Sequence, residues 1–416
     1  MKGTKSIRIS KDLVWQAYKK VKANAGSSGI DQVTIELFDA NLKDNLYKLW
    51  NRMSSGSYFP SPVMLVQIPK GGGKGTRPLG IPTVTDRIAQ MVVVMLLESG
   101  LDAIFHIDSY GYRPSKSAHG AIDQARKRCW KYDWVLDLDI KGFFDNIDHA
   151  LLNKALERHT EDPWVIMYVN RWLTVPYQTK EGKHIPRDKG VPQGSVIGPL
   201  LANLFLHYAF DEWMRRTHAD IPFERYADDS ICHCRSRSEA KALKRSIQSR
   251  LANCGLELNE TKTQIVYCKD SSRKQKHEKI AFDFLGYTFR PRCVKSRRGE
   301  FFTGFNPAIS NKAKKRIGDK MREWKPRKWI RLNLQEIAEQ INPIIREWIN
   351  YYGKYFPTEL KRLLQGINTH LAHWVRRKYR KFRYKITRSF YWLGHIARTH
   401  PNLFAHWQWG VKPTAG

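Results

Sequence analysis

The sequence predicts an α/β fold followed by an all-helical C-terminal part, on three observations. Strand-like and helix-like stretches alternate from residue 10 to about 270, without an internal repeat. Near residue 270 the composition shifts, and after FDFLGYTFRPR (282–292) the chain reads as helical and strongly basic. Within the first part, two acidic clusters sit in apolar stretches, VLDLDIKGFFD around Asp139 and FERYADDSIC around Asp228 and Asp229.

The elements follow in order. Residues 10–24 have helical spacing, with Ser10 as N-cap. A Gly/Ser loop (26–29) leads to further helix reaching Met53. Residues 62–69 alternate like a strand, and KGGGKGTRP (70–78) interrupts it as a basic, Gly-rich loop. A buried helix is expected over 85–105, a turn at SYGYRP (109–114), then a helix. Trp134, Val135, Leu136, Leu138 and Ile140 suit a buried strand, with Asp139 near its end. A helix near 148–158 precedes GVPQGSVIGPLLANLFL, a tight turn feeding a long helix to 216. The YADD hairpin, a helix at 238–253 and strand-like LELN and TQIVYC complete the first part. DSSRKQKHEK (270–279) reads as a solvated linker or hairpin tip. Residues 334–352 carry an apolar face at helical spacing, and Pro343 should kink that helix or mark its first turn.

The chain has 416 residues, 72 Lys and Arg against 39 Asp and Glu, and a net charge of +33. Such a chain repels itself unless it meets a polyanion, so nucleic acid is the expected partner. Residues 291–385 alone hold 25 Lys and Arg against 7 Asp and Glu. Interleaved Trp324, Trp329, Trp348, Tyr351, Trp374, Tyr379 and Phe382 favour a nucleic-acid surface over a merely solvated face. Six cysteines without CxxC spacing fit a reducing compartment, and no zinc site is expected at Cys232-His233-Cys234. The longest apolar run, AQMVVVMLL, is far short of the roughly 20 residues of a membrane span. A soluble, cytoplasmic protein with no membrane partner is therefore expected.

An acidic pair alone would be a hairpin cap. A second acidic strand in so basic a chain points elsewhere. Carboxylates in apolar strands are costly unless they bind cations. Three of them converging could hold two Mg²⁺ ions, the arrangement used for in-line phosphoryl transfer.

In this order the segments resemble a bacterial group II intron-encoded reverse transcriptase, or maturase, of the short form without an HNH endonuclease. QIPKGGGKGTRPLGIPTVTDR, SYGYRPSKSAHGA, LDLDIKGFFDNIDH, GVPQGSVIGPLLANLFL, RYADD, LELNETKT and FLGYTF are similar to the successive reverse-transcriptase blocks. GSSGIDQVT resembles the N-terminal extension, and INPIIREWINYY the maturase-specific helix. The resemblance implies a right-hand polymerase: N-terminal extension and fingers over 1–110, palm with the remaining fingers over 111–292, an all-α thumb or maturase domain over 293–385 and a short tail over 386–416. It implies two Mg²⁺ ions, replaceable by Mn²⁺, at Asp139, Ile140, Asp228 and Asp229.

Phe144 corresponds to the sugar gate, unless it is only a core ring. Lys70 and Arg77 match the triphosphate clamp, with a solvated basic loop as the alternative. Gln193 and Gly194 would contact the nucleotide. Lys262 would protonate the pyrophosphate, or be a surface lysine. Leu285 and Gly286 resemble the primer grip. Arg113 would brace fingers or template, or be a buried structural arginine. Lys312, Lys314, Lys315, Arg316, Arg376, Arg377 and Lys378 would grip structured RNA. The expected function is RNA-templated DNA synthesis from dNTPs on an RNA template/DNA primer, with a maturase role in group II intron splicing and retromobility. The alternatives are a domesticated or defence-linked reverse transcriptase without an intron partner, and a maturase that only binds RNA; an RNA-dependent RNA polymerase is disfavoured by Phe144.

Overall fold

A computed structural model describes residues 7–69, 75–296 and 298–414. Its packing divides the chain into two units, Met1–Val266 and Tyr267–Gly416. The division falls upstream of the expected 292/293 boundary, so FLGYTF belongs with the second unit.

The first unit opens with α1 (Lys11–Ala23), whose first turn is closed by Ser10 Oγ accepting from Leu13 N at 3.0 Å. Val14, Ala17, Tyr18 and Val21 form its buried stripe. Helices α2 (Ile35–Ala40) and α3 (Leu42–Ser54) follow, then the antiparallel pair β1 (Val63–Pro69) and β2 (Thr76–Ile81). Helix α4 (Val84–Ile104) is buried on most of its circumference in its first half, as its run of apolar residues dictates. Next come α5 (Ala118–Cys129), β3 (Trp134–Leu138), α6 (Phe143–Asn146), α7 (His149–Leu156) and α8 (Pro163–Thr174). Two short strands, β4 (Tyr177–Gln178) and β5 (His184–Ile185), extend the first sheet in the order β2-β1-β4-β5.

Helix α9 (Gly198–Leu206) runs on through a π-helical turn, His207–Asp211, into α10 (Glu212–Thr217). The hairpin β6 (Phe223–Tyr226) and β7 (Asp229–Cys234) is followed by α11 (Arg237–Ala252) and β8 (Gln264–Tyr267). The second sheet has the order β6-β7-β3-β8. Its central strand β3 pairs antiparallel to β7, with Leu138 opposite Ser230. LELN does not form the expected strand; it makes one bridge, Ile140 to Leu258.

In the second unit, β9 (Phe282–Phe284), β10 (Tyr287–Lys295) and β11 (Phe301–Ile309) form an antiparallel sheet in the order β11-β10-β9. The expectation of helix from residue 293 onward is corrected here. FFTGFNPAI pairs along the whole of β10 and buries Phe305, Ala308 and Ile309, so the fold uses its apolar content rather than the basic charge around it. Helix α12 (Asn311–Glu323) and α13 (Leu334–Tyr352) come next, the latter entered through a capping box between Asn333 and Glu336. Pro343 lies inside α13, not in its first turn.

After α14 (Pro357–Lys378), the tail forms α15 (Ile386–Thr399) and α16 (Ala405–Gln408). Two buried asparagines dock it. Asn342 donates to Leu403 O at 3.0 Å and accepts from Ala405 N at 2.9 Å. Asn368 Oδ1 meets His406 Nε2 at 2.9 Å and Trp407 Nε1 at 2.8 Å. Phe404 and Trp407 are fully buried, so the tail is part of this unit's core. Among the described residues no helix is long and apolar enough to cross a membrane.

Candidate active site

Asp139 is the first residue beyond β3, and its backbone is held from both sides. Its carbonyl accepts from Asn259 N at 2.8 Å, and Lys141 N donates to Glu257 O at 2.9 Å. LELNETKT is therefore the brace of Asp139. It also delivers Lys262, whose Nζ lies 3.0 and 3.1 Å from the two Asp139 carboxylate oxygens. Asp228 sits in the two-residue turn between Tyr226 and Asp229, after Ala227 in the left-handed region at φ 56°. Burial pushes the Asp228 carboxyl up, and the charge of Asp139 adds to this; Lys262 and Arg225 oppose it.

The expected convergence of Asp139, Asp228 and Asp229 with Ile140 is only partly met. Asp139 and Asp228 feel each other's charge, but Asp229 starts β7 exposed and Ile140 is buried. Among the described residues no three acidic, His or Cys groups come together closely enough to hold a metal. What the chain offers is a carboxylate pair whose mutual repulsion a hard cation would relieve. That donor chemistry fits a divalent ion shared with substrate phosphate oxygens.

The YADD turn is clamped by a buried network that sequence reasoning missed. Arg225 is fully buried and uses every guanidinium N–H. It donates to Asp211 at 2.7 and 2.6 Å, to Asn203 Oδ1 at 3.0 Å, to Ala227 O at 3.1 Å and to Ser109 Oγ at 2.8 Å. Asp211 comes from the π-helical turn, and Asn203, from α9, also donates to Gly111 O at 2.7 Å. The only sequence signal was an Arg and an Asp inside apolar runs.

Of the two readings of Arg113, a brace at fingers or template and a buried structural arginine, the structure takes the second, which corrects its place among the nucleic-acid-binding residues. Its guanidinium is buried and donates to Asp102 Oδ1 at 2.5 Å, Asp102 O, His106 O and Ser109 O. It folds the SYGYRP turn instead.

The nucleotide-side blocks are stapled through the PQG turn. Val191 N donates to Phe144 O at 2.7 Å, and Gly80 N to Gln193 O at 2.7 Å. A Cβ at Gly190 would lie 2.8 Å from the Phe144 and Asp145 carbonyl oxygens, and one at Gly194 would lie 2.5 Å from Gly80 O. Only glycine permits this approach, and both have positive φ. Gln193 reaches back to Asp145 within 3.5 Å. Phe143 fills the core while Phe144 is half-exposed, with the two rings edge to face at 5.3 Å. Arg77 is exposed on β2, opposite Ile68. Lys70 lies outside the described residues.

In the second unit, Leu285 and Gly286 form the two-residue turn between β9 and β10, both at positive φ. Leu285 O accepts from Tyr351 Oη at 2.8 Å, and Gly286 O from Ser310 N at 3.0 Å, so the turn is rigid. The expected basic surface is split. Lys314 is spent on Glu359 at 2.5 Å and Arg316 bonds Tyr352 Oη at 2.7 Å, while Lys312 reaches Asp283 at 3.3 Å and Lys315 is exposed. Arg376, Arg377 and Lys378 line a groove of about 640 Å³ with His373, Arg380, Arg383 and Tyr384. The last four were not singled out from the sequence. Burial and then Arg376 and Arg377 push the His373 imidazole down, a sign of the groove's positive field.

Comparisons follow the same order along the chain. Residues 68–289 match the reverse transcriptase (RNA-dependent DNA polymerase) family, and residues 314–392 the group II intron, maturase-specific domain. Group II intron-encoded protein LtrA of Lactococcus lactis subsp. cremoris is 34% identical over 198 residues, 47% of this chain and 32% of that protein's length. Protein YkfC of Escherichia coli (strain K12) is 30% identical over 320 residues, 66% of this chain and 78% of YkfC. A solved telomerase from Candida albicans, in complex with a fragment of telomeric RNA, aligns at TM-score 0.48 and 12% identity over 91% of this chain and 68% of that one.

Proposed function

This chain belongs to the reverse transcriptase family and carries the group II intron maturase-specific domain, and on that premise we propose that it is an RNA-directed DNA polymerase copying RNA into cDNA. The reading is supported by the β3–β7 register, Leu138 opposite Ser230, which brings the end of the Asp139 strand to the YADD turn, with LELNETKT braced on Asp139 and a PQG turn joining Phe144 to the strand of Arg77. In this reading the primer 3′-hydroxyl attacks the α-phosphorus of a dNTP, and pyrophosphate leaves. Asp139 and Asp228, flanked by Asp229 and the Ile140 carbonyl, would hold divalent ions, Mg²⁺ or Mn²⁺, which supply charge neutralisation at the attacking and leaving oxygens. Arg77 and Lys70 neutralise the triphosphate tail. Phe144 lies under the sugar and excludes a 2′-hydroxyl, with Gln193 and Gly194 shaping the same wall. Lys262, paired with Asp139, would protonate the leaving pyrophosphate once released. Leu285 and Gly286 hold the primer. The first unit would act as fingers and palm, and the second, with its sheet, helices and tail, as the thumb.

The test is extension of a DNA primer on an RNA template with Mg²⁺ and dNTPs. Wild-type protein should make full-length cDNA; no product under any divalent ion would overturn the reading. Phe144→Ala should then raise rNTP use relative to dNTP, and an unchanged ratio would remove the sugar-gate role.

A second activity, gripping structured RNA such as a group II intron, is favoured by the groove of Arg376, Arg377, Arg380 and Arg383. Each phosphate contact contributes about 0.7–0.9 to the log–log salt slope of binding. Replacing Arg377, Arg380 and Arg383 by Gln should flatten the slope by about 2 to 3 while short-template extension persists. Unchanged affinity and slope would mean the groove is merely solvated.

A further inference from the structure

We propose that Tyr112 is a substrate-positioning residue whose hydroxyl donates a hydrogen bond to a phosphate oxygen of the incoming deoxynucleoside triphosphate. The inference rests on the polymerase reading and adds to it a residue that neither the acidic motifs nor the PQG turn announces.

Tyr112 adopts φ 55°, the left-handed region that a bulky side chain rarely occupies. Burial of its ring does not explain this, because the residue is 55% exposed. The conformation is imposed by its neighbours. Gly111 lies flat on the YADD turn, where a Cβ would strike Ala227 N. Gly111 O is held by Asn203, and Tyr110 N donates to Arg225 O at 2.8 Å. On the other side Arg113 ties the segment to Asp102, His106 and Ser109. Both flanks of Tyr112 are thus locked to the same scaffold that fixes Asp228. Strained residues that the surroundings over-determine in this way gather at functional sites.

The ring packs beside the YADD turn. Its centroid is 6.1 Å from that of Tyr226, two residues before Asp228. Partial burial of the hydroxyl raises the phenol's pKa first, then the charges of Asp228, Tyr226 and Asp229, against a lowering by Arg77. The hydroxyl therefore stays protonated and is a donor. It lies within the fields of Asp228, Asp229 and Arg77, the groups that the polymerase reading assigns to the metal ions and to the triphosphate. The Tyr112 hydroxyl donates to none of the described residues. A neutral donor suits an anionic oxygen there, beside the cations that neutralise the triphosphate.

The experiment compares wild type, Tyr112→Phe and Tyr112→Ala in steady-state extension of an RNA-templated primer, with melting temperature and primer–template affinity measured alongside. Losing one hydrogen bond to a charged oxygen should raise the KM for dNTP about ten-fold or more in Tyr112→Phe. Its kcat, melting temperature and primer–template affinity should move less than two-fold or not at all. A KM for dNTP equal to wild type would overturn the proposal. So would a loss seen only in Tyr112→Ala and only in primer–template affinity, which would make the ring a stacking platform. Absence of extension by wild type would sink the polymerase reading itself, whereas wild-type extension with an unshifted Tyr112→Phe sinks this inference alone.

Discussion

Asp228 is opposed in its charged form by burial and by Asp139. A carboxyl whose folded pKa is raised favours folding below its unfolded pKa, and that contribution is lost as pH rises through the folded value. At neutral pH, ionised Asp228 therefore costs stability in the metal-free protein. Asp228→Asn should raise the melting temperature measured in chelator at pH 7.5, and the gain should vanish near pH 3. A lower melting temperature at pH 7.5 would show that the charge is instead compensated in place. Arg225 behaves oppositely. Removing one partner of its fully buried pair with Asp211 leaves the other uncompensated, so Arg225→Ala should cost about 3–5 kcal/mol in urea unfolding. The acidic residues were legible because a carboxylate in an apolar strand breaks a local rule. Arg225 was not, since nothing in RYADD tells that its guanidinium is walled in by Asp211, Asn203 and Ser109, while GYRP left the buried and the nucleic-acid-facing readings of Arg113 both open.

The PQG turn shows how one element can carry several blocks. Its glycines allow the chain to pass against Phe144 O, Asp145 O and Gly80 O. Gly194→Ala would place a Cβ 2.5 Å from Gly80 O at a φ of 109°, so the turn must shift. Strain of this kind costs about 1–3 kcal/mol, and extension should fall with the unfolding midpoint. Extension and midpoint at wild-type levels would mean that the turn yields freely. The turn, α1 with its Ser10 cap and the YADD hairpin could be read from Gly, Ser and alternation. The strand β11 could not, because nearby charge suggested helix and its pairing with β10 is a tertiary fact. The π-helical turn also left no periodic mark, yet it supplies Asp211.

At the scale of the molecule, the order of the blocks made the α/β first part and the helical remainder legible, and the family matches over 68–289 and 314–392 agree with it. The tail was less so, as its role depends on Asn342 and Asn368 far upstream. Burial depresses the His406 pKa to about 3. An imidazole held neutral in this way has its stability contribution intact above the ordinary value of about 6.5 and loses it as pH falls toward the folded value. The melting temperature should therefore drop between pH 7.5 and 5, and His406→Gln should shrink that drop; an equal drop in both would place the acid sensitivity elsewhere.

If Asp139 and Asp228 form the reaction centre of RNA-templated DNA synthesis, neither carboxylate can be dispensed with. The most direct test is the single-turnover rate of RNA-templated primer extension by Asp139→Asn and Asp228→Asn, each shown to be folded by its melting curve. Both should lose extension by about a thousand-fold or more, corresponding to roughly 4 kcal/mol of transition-state stabilisation. Extension near the wild-type rate by either folded variant would contradict that assignment.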